Sequence, residues 1–137
     1  MFKFTKFSSS LLVVGMSLAL TPAFFAAGPV LEARWFPVVR DVEVSHDEET
    51  REGTSFYVRF RKVRQCEFLA LVWYEGPVRL SVDFEPHSDD SPRTRPVGEQ
   101  YSGPWLVRDL HGIQGSRAHA YHRCHPLWTT ITTFYQG

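Results

Sequence analysis

Three histidines spaced by three positions, His119, His122 and His125, are the residues that most suggest a metal site. Imidazoles are common zinc ligands when three of them converge on one ion. The surrounding residues predict a β-strand, however, on which His119 and His125 share one face and His122 points to the other. No HExxH or paired CxxC motif accompanies them. We expect no metal and no other cofactor, and we interpret these histidines as solvent-facing or hydrogen-bonded, with His125 shaping the turn before Pro126.

Motifs for hydrolytic chemistry are missing from the sequence, which has no GxSxG elbow and no Ser-His-Asp order. Asp83 and Glu85 lie on or just after a predicted strand, but nothing supports a paired acid and base role for them. We therefore predict that the protein is not an enzyme. A metal-dependent enzyme is kept as a distant alternative.

The charge balance argues against nucleic-acid binding, since 15 Lys and Arg face 15 Asp and Glu. Removal of the first 27 residues would take away two lysines and no acids, leaving a slightly acidic mature region. One predicted strand does carry a basic patch, formed by Arg59, Arg61, Lys62 and Arg64. A nucleic-acid interface needs a basic surface with interleaved aromatic residues, so we expect no nucleic-acid partner.

The arginines and aromatic residues of three predicted connections are the strongest candidates for recognition. Loops on a rigid scaffold commonly carry binding residues, and Arg, Trp and Tyr dominate binding hot spots. The candidate binding surface comprises Arg64, His87, Arg93, Arg95, Glu99, Gln100, Tyr101, Trp105, His125 and Trp128. In the alternative interpretation, the arginines pair with Glu99, Asp89 and Asp90 while the tryptophans cap the core.

The first residues have the layout of a secretory signal peptide. Lys3 and Lys6 precede an apolar run over 11–20, and small residues follow it. We predict a signal peptide over 1–27, cleaved after Ala23 or Ala27, and a single β domain over 28–137. The localisation would be periplasmic or secreted, with membrane contact only through the signal peptide. The alternative is an uncleaved helix that anchors the protein in the membrane.

Cys66 and Cys124 are the two cysteines of the chain. In an oxidising compartment, two cysteines in a small domain are expected to form a disulfide. The bridge would close a long loop and stabilise the fold by about 4 kcal/mol. A free catalytic thiol is the alternative.

Apolar alternation and turn residues predict about seven short strands, the pattern of an all-β Greek-key sandwich of the immunoglobulin or fibronectin type III kind. The predicted strands are A (38–44), B (54–63), C (66–74), C′ (78–84), E (105–110), F (117–124) and G (128–135). Strands C and F should be antiparallel neighbours, which places the two cysteines at the same end of one sheet. Strand C is expected to be covered on both faces, and Val78, Leu80, Val82 and Phe84 of C′ are expected to point inward. The other segments are interpreted as an extended lead-in over 28–37 anchored by Trp35 and Phe36, a loop over 45–53, and a long Pro-rich surface loop over 85–104.

Three motifs carry a family resemblance: VRQCEF from Val63, RPVGEQYSGPWL from Arg95, and HRCHPLW from His122. With them, the chain resembles a family of small uncharacterised exported proteins of tailed bacteriophages and some proteobacteria. The resemblance implies a phage or bacterial host and export to the periplasm, and it assigns no functional residues. We expect a periplasmic or cell-envelope binding module for an unidentified envelope protein or glycan. A phage-encoded structural or host-modifying envelope factor is the alternative.

Overall fold

The computed structural model describes residues 4–84 and 94–137, with side chains described from Val13 onward. One helix precedes eight strands. These elements are α1 (Phe4–Trp35), β1 (Val39–Glu49), β2 (Gly53–Lys62), β3 (Glu67–Glu75), β4 (Val78–Leu80), β5 (Val82–Phe84), β6 (Gly98–Arg108), β7 (Ser116–Arg123) and β8 (Thr130–Gln136).

The strands form two antiparallel four-stranded sheets. The first sheet has the order β1-β2-β6-β5, and the second has the order β4-β3-β7-β8. Apolar side chains from both sheets meet in one core. The prediction of an all-β sandwich is confirmed.

Trp73 of β3 lies at the centre of the core, where it is fully buried. Its ring packs against Phe56 of the opposite sheet with centroids 4.9 Å apart, and against Tyr135 at 5.3 Å. The indole N–H donates a 2.8 Å hydrogen bond to Oγ of Ser116. Because a buried polar group needs a partner, this bond allows the large ring to occupy the interior.

Strand β2 shows the alternation that the sequence predicts. Phe56, Val58 and Phe60 are buried, while Arg59 and Arg61 point to solvent. The same two-residue period turns Lys62 inward, where it is only 3% exposed.

The prediction that strand C, now β3, is covered on both faces along its length is wrong. Val72 and Trp73 point to opposite faces and are both buried, but Leu69, at an irregularity in the β3–β7 register, is 38% exposed. The strand lies between β4 and β7, and described residues of only one of its faces belong to the core.

The predicted single strand over 78–84 is divided at Ser81, because β4 pairs with β3 and β5 pairs with β6. The chain therefore crosses from the second sheet to the first at this residue. Val78 is exposed, contrary to its predicted inward orientation, while Leu80 and Val82 pack partly against the core.

The long surface loop predicted over 85–104 is wrong for its last part, since 98–104 belong to β6. Gly103 and Pro104 lie opposite Tyr57 at an irregularity in the β2–β6 register. Proline is tolerated at bulges in a sheet, because the N–H that it lacks would not form an inter-strand hydrogen bond there. Pro104 therefore does not mark the start of this strand, which is predicted at Trp105 and begins at Gly98.

Two further segments differ from their predicted structure. Residues 45–49, predicted as loop, extend β1, and register shifts near Asp41 and His46 interrupt the pairing of that strand with β2. Both residues have positive φ, which Asp and His adopt more readily than most residues. At the start of the domain, α1 continues to Trp35 instead of an extended lead-in, and the predicted anchors Trp35 and Phe36 are 62% and 61% exposed.

The disulfide between Cys66 and Cys124 is confirmed, with Cα atoms 4.7 Å apart. Glu67 of β3 pairs with Arg123 of β7, so the bridge joins the residues just outside two neighbouring strands. Antiparallel pairing of the predicted strands C and F is likewise confirmed.

Candidate functional site

The structure gathers Arg64, His125 and Trp128 of the predicted binding surface around Glu32, near the C-terminal end of α1. Oε2 of Glu32 accepts hydrogen bonds from Nε1 of Trp128 at 2.7 Å and from Oγ1 of Thr130 at 2.9 Å. The other oxygen, Oε1, accepts from Nη1 of Arg64 at 2.8 Å. We call these five residues the Glu32 cluster.

His125 completes the cluster, with Nε2 at 3.2 Å from Oε2 of Glu32. The amide N–H of Leu127 donates to Nδ1 of the same ring at 3.3 Å. Because Nδ1 is an acceptor, Nε2 carries the proton and donates to the carboxylate. His125 therefore both shapes the turn, as expected, and binds the helix.

Burial would raise the pKa of the Glu32 carboxyl, but the cluster more than offsets this effect. Hydrogen bonds from Arg64, Trp128, Thr130 and His125 stabilise the ionised form and lower the pKa to about 2. Glu32 is 9% exposed. A buried carboxylate is acceptable here because several donors replace its water.

One face of α1 packs on the Trp128 ring. A Cβ atom on Gly28 would lie 2.6 Å from Cη2 of that ring, so glycine permits the close approach. Phe24 and Phe25 flank the ring with centroids 5.3 and 6.2 Å from it. Positions 24, 28 and 32 are four apart and share a helix face, which explains why one helix supplies both the aromatic and the carboxylate contacts.

Arg95 and Trp105 form a second group, which is linked through Ser102. Ser102 Oγ accepts from Nε1 of Trp105 at 3.1 Å and from Nη2 of Arg95 at 3.3 Å. Arg95 also donates to the carbonyl of Tyr101 at 3.1 Å. These contacts hold the guanidinium against the start of β6.

Glu99, Gln100 and Tyr101 lie along β6 rather than in a loop. Glu99 is exposed and pairs in register with Arg61, and Gln100 donates to the carbonyl of Pro96 at 3.1 Å. The Tyr101 ring is 58% exposed and stacks on Tyr57 with centroids 5.6 Å apart. His87, Arg93, Asp89 and Asp90 lie outside the described residues.

A cavity of about 210 Å³ lies between the two sheets beside Arg95 and Trp105. We call it the inter-sheet cavity. Its walls are largely apolar and come from both sheets. The lining residues are Val39, Phe60, Lys62, Phe68, Leu71, Phe84, Arg95, Ser102, Trp105, Ala120, His122 and Phe134.

Three basic side chains line this otherwise apolar space. Nζ of Lys62 donates to the carbonyl of Cys66 at 2.8 Å, and no acid within 4–84 or 94–137 forms an ion pair with it. Burial and then the positive charge of Arg95 lower the pKa of Lys62. His122 is 4% exposed, and its Nδ1 has no hydrogen-bond partner among the described atoms.

The imidazole of His122 is neutral at physiological pH. Burial is the main cause of a pKa lowered to about 4, and the positive charges of Lys62 and Arg64 add to it. The cavity therefore combines a neutral imidazole with the basic side chains of Lys62 and Arg95.

The described residues contain no group of three or more His, Cys, Asp or Glu side chains that could hold a metal ion. His119, His122 and His125 separate because only His122 points inward from β7. The expectation of a solvent-facing or hydrogen-bonded side chain is wrong for His122, which is 4% exposed and has no partner for Nδ1 among the described atoms. His119 faces outward and packs against Tyr74.

Sequence reasoning missed Glu32 and Lys62, although the sequence around each residue contains a feature that indicates its role. Glu32 is the single acidic residue among the first 40 positions, inside an apolar stretch. Lys62 continues the inward positions of Phe56, Val58 and Phe60, which the alternation of β2 makes visible.

No family model, curated protein or solved structure matches this chain.

Proposed function

We propose that the protein is an exported binding module of the bacterial cell envelope that takes a ligand in its inter-sheet cavity. The cavity is the observation that carries this proposal. It is concave, mostly apolar and supplied with a few polar groups, which are the usual features of a small-ligand site. Phe68, Phe84 and Arg95 are partly exposed at its edge, as expected for a cavity that opens to solvent.

Export is supported by the N-terminal helix and by the disulfide. The Val13–Trp35 stretch of α1 is long and apolar enough to cross a membrane, and a signal sequence has the same properties. Disulfides persist in oxidising compartments, which include the periplasm. A host among tailed phages or proteobacteria, suggested by the sequence motifs, belongs to the same proposal.

The strand order supports an immunoglobulin-like topology. In such sandwiches, one sheet has the order A-B-E-D and the other contains C-F-G. The orders β1-β2-β6-β5 and β4-β3-β7-β8 correspond to these sheets when β4 is taken as C′ and β5 as D.

A protein or glycan partner would use the exposed part of the predicted surface. Glu99 and Tyr101 are available to such a partner. Arg64, His125 and Trp128 are engaged by the helix, so we place ligand binding at the cavity instead of at these three residues.

Nuclear magnetic resonance of the protein as exported by the cell tests the proposed function. The indole N–H of Trp105 reports on the cavity, and that of Trp128 reports on the Glu32 cluster. Lipid, glycan and protein fractions of the envelope are added in turn. We expect at least one fraction to shift the Trp105 resonance while Trp128 stays in place. An unchanged Trp105 resonance with every fraction would overturn the proposal.

A further inference from the structure

We propose that the inter-sheet cavity binds a small carboxylate with an apolar body, and that Lys62 and His122 hold its acid group. This inference rests on the proposed function and names its ligand class. It combines three features of the cavity: its apolar walls, a lysine with no acid partner among the described residues, and an imidazole nitrogen with no hydrogen-bond partner among the described atoms.

The apolar walls of the cavity favour a ligand with an apolar body. Phe60, Phe68, Leu71, Phe84 and Phe134 surround the cavity from both sheets. A ligand that buries apolar surface against them gains about 25 cal/mol per Å². The volume of about 210 Å³ is smaller than the roughly 300–1,000 Å³ of most ligand pockets, so the body is small.

The buried ammonium group of Lys62 favours a ligand with a negative charge. A buried ammonium group is costly unless an anion pairs with it, and the described residues offer it only the carbonyl of Cys66. An ammonium group has three N–H donors, so two remain for a ligand. The guanidinium of Arg95 adds positive charge to the same wall while donating to Tyr101 and Ser102.

His122 supplies a second polar group in the cavity, close enough to Lys62 for the positive charge of Lys62 to lower the pKa of the imidazole. The side chain is 4% exposed, lines the cavity and has no partner for Nδ1 among the described atoms. Leaving a buried polar atom without a partner costs about 1–3 kcal/mol. One ligand carboxylate next to Lys62 would satisfy both groups with the imidazole proton on Nδ1, since a carboxylate only accepts hydrogen bonds and has two acceptor oxygens.

A matched pair of probes tests the charge requirement. The exported protein is titrated with 4-phenylbutanoate and with 4-phenylbutanamide, which has nearly the same shape and no charge. We expect the acid to shift the Trp105 indole resonance with an affinity roughly 10- to 100-fold higher than that of the amide, the range expected for hydrogen bonds to a charged group.

Two variants locate the acid group. Lys62→Met keeps most of the side-chain length without the charge, and it should reduce the affinity for the acid roughly 10-fold or more while leaving the amide unaffected. His122→Phe keeps an aromatic ring in place and should weaken the acid alone. Arg61→Met is the control, because Arg61 is the next residue on β2 but points to solvent.

The outcomes separate this inference from the proposed function. Equal affinities of the acid and the amide, measured at Trp105, would overturn the proposal of a carboxylate ligand. The protein would then be a binding module for a neutral ligand. If neither probe binds while an envelope fraction still shifts Trp105, the inference fails and the proposed function stands. If Lys62→Met does not fold, the acid-to-amide ratio in His122→Phe decides, and an unchanged ratio would overturn the proposal.

Discussion

The carboxylate of Glu32 and the indole of Trp128 are joined by a 2.7 Å hydrogen bond across 96 positions of the chain. This bond and its neighbours attach the end of α1 to the turn and strand that follow β7. The rest of the helix, over Val13–Trp35, is almost free of burial. Attachment of the N-terminal segment to the sandwich therefore depends on very few residues.

Replacing Glu32 with glutamine should destabilise the domain by about 2–4 kcal/mol, because buried donors would face an uncharged amide. Urea denaturation of the exported protein measures the change. Glu43→Gln is the matched control, since Glu43 is an exposed acid that contacts Arg59 at 3.6 Å. Equal stability of the two variants would show that the Glu32 cluster contributes nothing specific.

Acid should weaken this attachment in a defined range. The folded-state pKa of Glu32 is lowered to about 2 from an ordinary value of 4.5. A lowered carboxyl pKa contributes stability that is complete above pH 4.5 and is lost as the pH falls toward 2. The difference in unfolding free energy between the wild type and Glu32→Gln should shrink across this range, and a constant difference would contradict the assignment.

His122 should produce a separate loss of stability at higher pH. Its folded-state pKa is about 4 against an ordinary value of 6.5, so protonation favours the unfolded chain as the pH falls from 6.5 to 4. Between about pH 7.5 and about pH 5, this group should cost about 2 kcal/mol. Urea denaturation at both pH values should show a smaller loss for His122→Phe. His46→Gln, which changes an exposed histidine, is the control and should lose as much stability as the wild type. A loss in His122→Phe as large as that in His46→Gln would show that His122 is not responsible.

The sequence was a good guide wherever burial repeats with a short period. Alternation over 54–63 separated the two faces of β2, and two cysteines behind a signal-like N-terminus predicted the disulfide. The same alternation places Lys62 on the face of Phe56, Val58 and Phe60, whereas the basic composition of the segment predicts a surface patch that includes it. Because lysine is rarely buried, the prediction follows the basic composition of the segment and not the inward position of Lys62 on the strand.

Contacts between distant segments were beyond the reach of local patterns. The division of 78–84 at Ser81 depends on which strands lie beside each half, and β4 and β5 are too short to show a change of face. Glu32 binds Arg64 across 32 positions of the chain, and His125, Trp128 and Thr130 across 93–98, so no neighbouring residue marks it. The predicted surface included Arg64, His125 and Trp128 but omitted Glu32, to which all three bind.

The disulfide should contribute about 4 kcal/mol, because it restrains a loop of 58 positions in the unfolded chain. The double variant Cys66→Ala with Cys124→Ala removes the bond without leaving a free thiol. Guanidinium denaturation should show this loss relative to the oxidised wild type, while the reduced and alkylated wild type should resemble the variant. A loss below about 1 kcal/mol would show that the bond is not an important support.

Gly103 should tolerate no side chain. A Cβ atom there would lie 2.7 Å from Cδ1 and 3.0 Å from Cα of Tyr57, so Gly103→Ala should cost about 1–3 kcal/mol more than Gly98→Ala. Gly98 is a suitable comparison because its φ is also positive, at 128°, while a Cβ atom added to it would have no neighbour within 4 Å. Thermal denaturation of both variants distinguishes crowding from backbone strain, and equal melting temperatures would exclude crowding.

The position of Glu32 along the chain imposes an order of events on the proposed export. Residues 24–32 would cross the membrane first, yet the groups that receive them, from His125 to Thr130, emerge almost a hundred residues later. The leading segment must therefore remain undocked throughout translocation, accessible to any peptidase at the membrane. Docking of that segment closes the domain only after the trailing hairpin has arrived.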